Sequence, residues 1–191
     1  MSSILKVDQL QDSGGNEIIT SNGSGTITVN SQPFKNGITE ADQFRLTSNL
    51  TANADPISAN LERVDDATFS KIGTGMTLSS GIYTFPTTGL YQVESTVMLS
   101  WISDSDSIQV EMYASSDSGS NYDQIARIAV TMPGGDSFVH TYSNSAFVNV
   151  TDASTFRVKF VLNSLDSNNY LNGNSTTNYT FFTFIRLGDS Q

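Results

Sequence analysis

The chain has 191 residues, with 9 Lys and Arg against 19 Asp and Glu, for a formal charge of −10. That balance argues against a basic groove for nucleic acid, because phosphate contacts need clustered cations. With no Cys and one His, the chain has no disulfide framework and too few good ligands for a zinc site. In chain order, residues 1–40 form a first region. Ile4–Val7, Ile18–Ile19 and Ile27–Val29 are short β-prone pieces, separated by turn signals at Asp12–Asn16 and Ser21–Gly25. Three such strands cannot build a core alone and need a partner chain or a docking surface. A linker around Pro33 and Gly37 follows.

Residues 41–191 read as one all-β domain, a β-sandwich of about ten strands with no convincing helix. The expected strands are Phe44–Leu50, Ala59–Val64, Phe69–Ile72, Ile82–Phe85, Leu90–Trp101, Ile108–Ala114, Gln124–Met132, Ser137–Val150, Phe156–Leu162 and Thr177–Leu187. The strand from Leu90 sets the pattern. Tyr91, Val93, Val97, Leu99 and Trp101 alternate with Gln92, Glu94, Thr96 and Ser100, so one face enters a core. Ile108, Val110 and Met112 alternate with Gln109 and Glu111. Phe156, Val158, Phe160 and Leu162 alternate with Arg157 and Lys159, so these strands each have one wet face. The final strand is apolar on both faces, with Tyr179, Phe181, Ile185 and Leu187 on one and Phe182 and Phe184 on the other. A strand of that kind needs a cover on each side.

Two stretches resemble known families. Phe85-Pro86-Thr87-Thr88-Gly89-Leu90-Tyr91 is similar to the opening of the central strand in the jelly rolls of the tumour necrosis factor and complement globular-head superfamily. That resemblance implies a jelly roll whose inner sheet packs around a threefold axis with the last strand in it. It therefore implies a homotrimer, with Phe182 and Phe184 as the expected trimer contact. The superfamily's Ser-Gly pair in that strand is absent, and Phe181-Phe182-Thr183 stands there. Ser3-Ile4-Leu5-Lys6-Val7-Asp8, a Gly-Asn pair, Ile18-Ile19 and Gly25-Thr26-Ile27-Thr28 resemble the amino-terminal segment of tail-fibre and other virion proteins of marine bacteriophages. This implies that residues 1–40 dock to other virion proteins or start a trimeric fibre.

Catalytic signals are weak. His140 stands mid-strand between Val139 and Thr141, and no Gly-x-Ser-x-Gly occurs. The carboxylate pairs Asp65/Asp66 and Asp104/Asp106 both read as loop residues rather than a glycosidase acid–base pair. Asp104-x-Asp106 lacks the third ligand, the Gly and the closing Glu of an EF-hand, which leaves an irregular calcium site open. No cofactor is expected. The loops Ser115–Tyr122 and Asn163–Asn174 are rich in Ser, Gly and Asn, and Tyr122 and Tyr170 are the expected receptor contacts.

The amino terminus carries no secretory signal and no apolar run approaches a membrane span, which suggests synthesis in the host cytoplasm. The sequence reading is a non-enzymatic bacteriophage virion protein, either a trimeric fibre or spike that binds a host surface or a head decoration that studs or stabilises the capsid. A bacterial adhesin or glycan-binding module and a glycan hydrolase are the alternatives.

Overall fold

The computed structural model describes residues 9–29, 37–102, 106–132, 137–166 and 168–191. The chain divides into two compact units, Met1–Gly37 and Ile38–Gln191. In the first unit, β1 (Gln9–Gln11), β2 (Glu17–Ser21) and β3 (Ile27–Val29) form an antiparallel meander in the order β1-β2-β3. Asp12 shapes the first turn. Its carboxylate accepts the amide N–H of Gly14 and Asn16 at 2.8 and 2.9 Å. The Asn16 side-chain amide foremost, and then these backbone bonds, hold its pKa below the usual carboxylate value. Asn22 does the same for the second turn, accepting from Ser24 and Thr26. Leu10 pairs with Ile19, and Leu10 and Ile27 stay exposed. The expected strand Ile4–Val7 and the linker around Pro33 lie outside the described residues.

The second unit is a sandwich of two antiparallel sheets. Its strands are β4 (Ala41–Leu46), β5 (Leu61–Arg63), β6 (Lys71–Ile72), β7 (Thr77–Ser79), β8 (Ile82–Thr84), β9 (Gly89–Trp101), β10 (Asp106–Ser115), β11 (Asp123–Met132), β12 (Phe138–Val150), β13 (Arg157–Asn163), β14 (Tyr170–Leu171) and β15 (Phe181–Gly188). The seven-stranded sheet runs β12-β9-β15-β4-β5, with β14 on β9 and β6 on β4. The five-stranded sheet runs β11-β10-β13-β8-β7. All ten expected strands are present. The two additional ones, β7 and β14, have three and two residues, too short to show a period. The β7–β8 hairpin turns on Ser80 and Gly81, both at positive φ (50° and 80°), as a two-residue hairpin requires. Gly89 is needed for space: a Cβ there would lie 2.5 Å from Arg186 Nε.

The core lies between the sheets. From one side come Tyr91, Val93, Val97, Leu99 and Trp101 of β9. From the other come Ile108, Val110 and Met112 of β10 with Val158, Phe160 and Leu162 of β13, all buried. Each such side chain contributes roughly 1.5–3 kcal/mol by leaving water. The alternation expected for these three strands is thus the alternation that packs.

The last strand departs from expectation. Phe182 and Phe184 are 0% and 1% exposed within a single chain. Phe182 stacks on Phe160 with ring centroids 3.8 Å apart, and Phe184 lies 4.9 Å from Tyr83. They are core residues, not a contact between chains. Pairing decides the matter. Phe182 stands opposite Ser95 and Phe184 opposite Val93, on the inward face of β9, whereas Phe181 and Ile185 stand opposite Thr96 and Gln92. A strand apolar on both sides fixes the need for two covers, but only its register says which face goes inside.

Candidate functional site

The outward face of the seven-stranded sheet is now defined row by row. One row reads Arg45, Phe181, Thr96 and Ser143, the next Gln43, Thr183, Glu94 and Ser145, the next Ala41, Ile185, Gln92 and Phe147. The middle row is polar, and Gln43 Nε2 donates to Thr183 Oγ1 at 2.9 Å. Apolar groups flank it. Phe147 is 68% and Val139 61% exposed, and Leu90, Met98, Phe181 and Ile185 are half-buried. Phe147 was legible in principle: it is the one aromatic among Thr141, Ser143, Ser145 and Asn149 on the wet side of its strand.

Charge on this face is consumed or unpaired. Arg45 is buried and bonds Glu62 Oε1 at 2.7 Å and Asp66 Oδ2 at 2.9 Å, with Asp65 at 3.9 Å. Those bonds, the one to Glu62 foremost, hold its guanidinium protonated more firmly than usual. Asp65 and Asp66 are thereby tied to an arginine, which does not suit an acid–base pair poised around a glycosidic bond. Glu94 accepts from Thr96 Oγ1 at 3.4 Å and makes no ion pair among the described residues. Asp104 lies outside the described residues. Among those described, no group of three or more His, Asp or Glu is placed to hold a metal.

Tyr122 and Tyr170 do not come together. Tyr122 is the loop residue just before β11: Lys159 Nζ sits 4.7 Å above its ring and 5.5 Å from that of Tyr113, and bonds Asp55 at 2.6 Å. The loop before it is ordered from within. Ser115 Oγ and the amide and side chain of Asn121 donate to Asp117, bringing its pKa down to about 2. Tyr170 lies in β14, paired with Ser100 of β9, in a segment held by Asn172 N–H to Met98 O and Asn174 N–H to Leu46 O. His140 is exposed in β12, between the rings of Phe138 and Tyr142.

With this geometry in hand, solved structures can be compared. Eiger, a tumour necrosis factor protein from S. frugiperda, superposes with a TM-score of 0.58 at 15% identity, covering 81% of this chain and 96% of that one. Murine APRIL at pH 5.0 gives 0.56 at 12%, covering 78% and 98%, and at pH 8.0 gives 0.53 at 10% over the same shares. The fold is the tumour necrosis factor-like jelly roll. The sequence matches no protein-family model and no curated protein. At these identities the tumour necrosis factor-like likeness concerns the fold. It accords with the resemblance at Phe85–Tyr91, and it offers nothing on the bacteriophage resemblance.

Proposed function

We propose that this chain is a non-enzymatic structural protein of a bacteriophage virion. In this reading the jelly roll assembles as a homotrimer through the outward face of the seven-stranded sheet. Residues 1–40 dock to other virion proteins, and the assembly serves as a fibre or spike tip that meets the host surface, or as a head decoration that studs the capsid. The observation that carries the assembly is Phe147, two-thirds exposed on a sheet face that also holds Phe181, Ile185, Leu90 and Met98. A soluble chain gains by covering such a patch, and each large side chain so buried is worth roughly 1.5–3 kcal/mol. The threefold arrangement is what the superfamily resemblance implies for this sheet. Virion attachment is supported by the resemblance of the first residues and by Leu10 and Ile27, exposed on a three-stranded sheet too small to hold a core.

Light scattering on the purified protein tests the assembly. A mass of three chains is expected for wild type, and of one chain for Phe147→Asp with Phe181→Asp. A wild-type monomer at micromolar concentration overturns the trimer. Imaging of particles carrying a labelled copy tests the virion role, and labelled protein absent from the particles overturns it.

A further inference from the structure

β12 is the edge strand of the seven-stranded sheet, and β11, just before it in sequence, is the edge strand of the five-stranded one. On the inward side of β12, at this open flank of the sandwich, three rings stand in a row. Phe138 and His140 have centroids 6.0 Å apart, and His140 and Tyr142 lie 6.1 Å apart with planes at 29°. In an enclosed sandwich, side chains on this side would be buried; here His140 is exposed and its two neighbours only half-buried. Beneath them Trp101 meets His140 edge-on at 6.1 Å. Trp101 is 1% exposed, and its indole N–H is buried with no acceptor among the described residues.

We propose that this aromatic ladder is a binding site for a neutral oligosaccharide. Evenly spaced rings present successive flat apolar platforms, which suit the C–H faces of consecutive pyranose rings. Sugar hydroxyls are donors and acceptors for the exposed imidazole of His140. The ligand is uncharged because the strand is: Phe138–Val150 contains no Asp, Glu, Lys or Arg, and the chain as a whole carries −10. An acidic glycan would meet repulsion with no cation on the strand to offset it. Asn144, on the same side of β12 and fixed by Ser95 Oγ at 2.6 Å, extends the row with an amide that suits hydroxyl groups. The proposal deepens the host-contact part of the reading above. It concerns the inward side of β12, whereas Val139 and Phe147 of the same strand point outward.

Trp101 is the only tryptophan, so its emission reports this site alone. Full-length protein is titrated with neutral hexasaccharides of glucose, mannose and N-acetylglucosamine, following that emission and, in parallel, calorimetric heat. At least one is expected to give a saturable shift. Binding should weaken about tenfold in His140→Ala and in Tyr142→Ala, hold in Tyr142→Phe, and hold in Tyr122→Ala. Mass should not change in any of these variants, and melting temperature should hold in His140→Ala, whose side chain is exposed. No saturable response to any of the three sugars at millimolar concentration overturns the proposal, as does wild-type affinity retained in both alanine variants. So does a response to an uncharged extended peptide but to no sugar, since a peptide can pair with the free backbone edge of β12 instead. Each of these failures leaves the three-chain mass and particle attachment as they were, so the site and the assembly fail separately.

Discussion

The two sheets turn very different outer faces to the surroundings. The five-stranded sheet presents Glu111, Tyr113, Arg127, Arg157 and Lys159, and most of their polar groups are engaged within the chain. Tyr113 Oη and Asn163 Nδ2 donate to Glu111, Lys159 bonds Asp55, and Arg157 donates to the carbonyls of Phe156 and Ser154. The seven-stranded sheet presents Phe147, Phe181, Ile185, Leu90 and Met98 around a polar row whose one acid, Glu94, makes no ion pair among the described residues. A face that closes its own hydrogen bonds is finished as a surface. A face that leaves apolar groups wet is unfinished until something covers it. Both faces alternate with a core face of equal quality, so the difference lies in the outward residues alone.

The largest test of this contrast is within one strand. Phe182→Ala is expected to cost about 3–5 kcal/mol of folding stability, read by denaturant unfolding, because it empties the stack on Phe160. Phe181→Ala, one residue away on the outward side, should cost the isolated fold under about 1 kcal/mol while weakening self-association seen by sedimentation. Equal losses of stability would mean that the two faces of β15 are not distinct. Next in size is Asp42→Asn. The Asp42 carboxylate is buried and takes Arg63 Nε at 3.0 Å and the Met76 amide at 2.7 Å, so losing its charge should cost about 1.5–3 kcal/mol.

On the finished face the effects should be small. Lys159→Ala removes an ion pair whose Asp55 partner is more than half exposed, so about 0.2–1 kcal/mol is expected, diminishing with salt. The smallest effect concerns Asp117. Its folded pKa of about 2 lies below the ordinary carboxylate value, so its contribution to stability is complete above that ordinary range and fades as pH falls toward 2. A carboxyl NMR titration should show the low midpoint, and Asp117→Ala should speed hydrogen exchange at the Asn121 amide. A midpoint near the model-peptide value would show that the Ser115–Asn121 loop is not ordered in solution.

Much of this architecture could be read from the residues. Alternation in β9, β10 and β13 identified both the strands and their buried sides, because a period of two with one mainly polar set favours a single placement. The same logic failed at β15, where both sets are apolar and the deciding information is the pairing of Phe182 with Ser95, 87 residues earlier in a chain that gives no local hint of it. Binding residues were harder. Tyr122 and Tyr170 stood out as aromatics in polar loops, yet one is held under Lys159 and the other is drawn into a strand pairing. The ladder of Phe138, His140 and Tyr142 has the same spacing as a core face, and only the edge position of β12 leaves it open.

The placement of β15 between β4 and β9 also bears on how the protein is made. On the ribosome β4 ends at Leu46 and β9 at Trp101, 135 and 80 residues before Phe181, where the strand that must lie between them begins. Until Phe181–Gly188 has emerged, the two earlier strands have no shared neighbour, and Phe44, Tyr83 and Phe160 lack the rings that complete their cluster. The seven-stranded sheet is therefore completed late, by insertion rather than by addition at an edge. Sequence separations of this size slow folding and lengthen the time for which apolar strands stand open. Nascent chains halted before Phe181 should be protease-sensitive throughout the sandwich, with resistance gained in one step once β15 is clear of the exit tunnel.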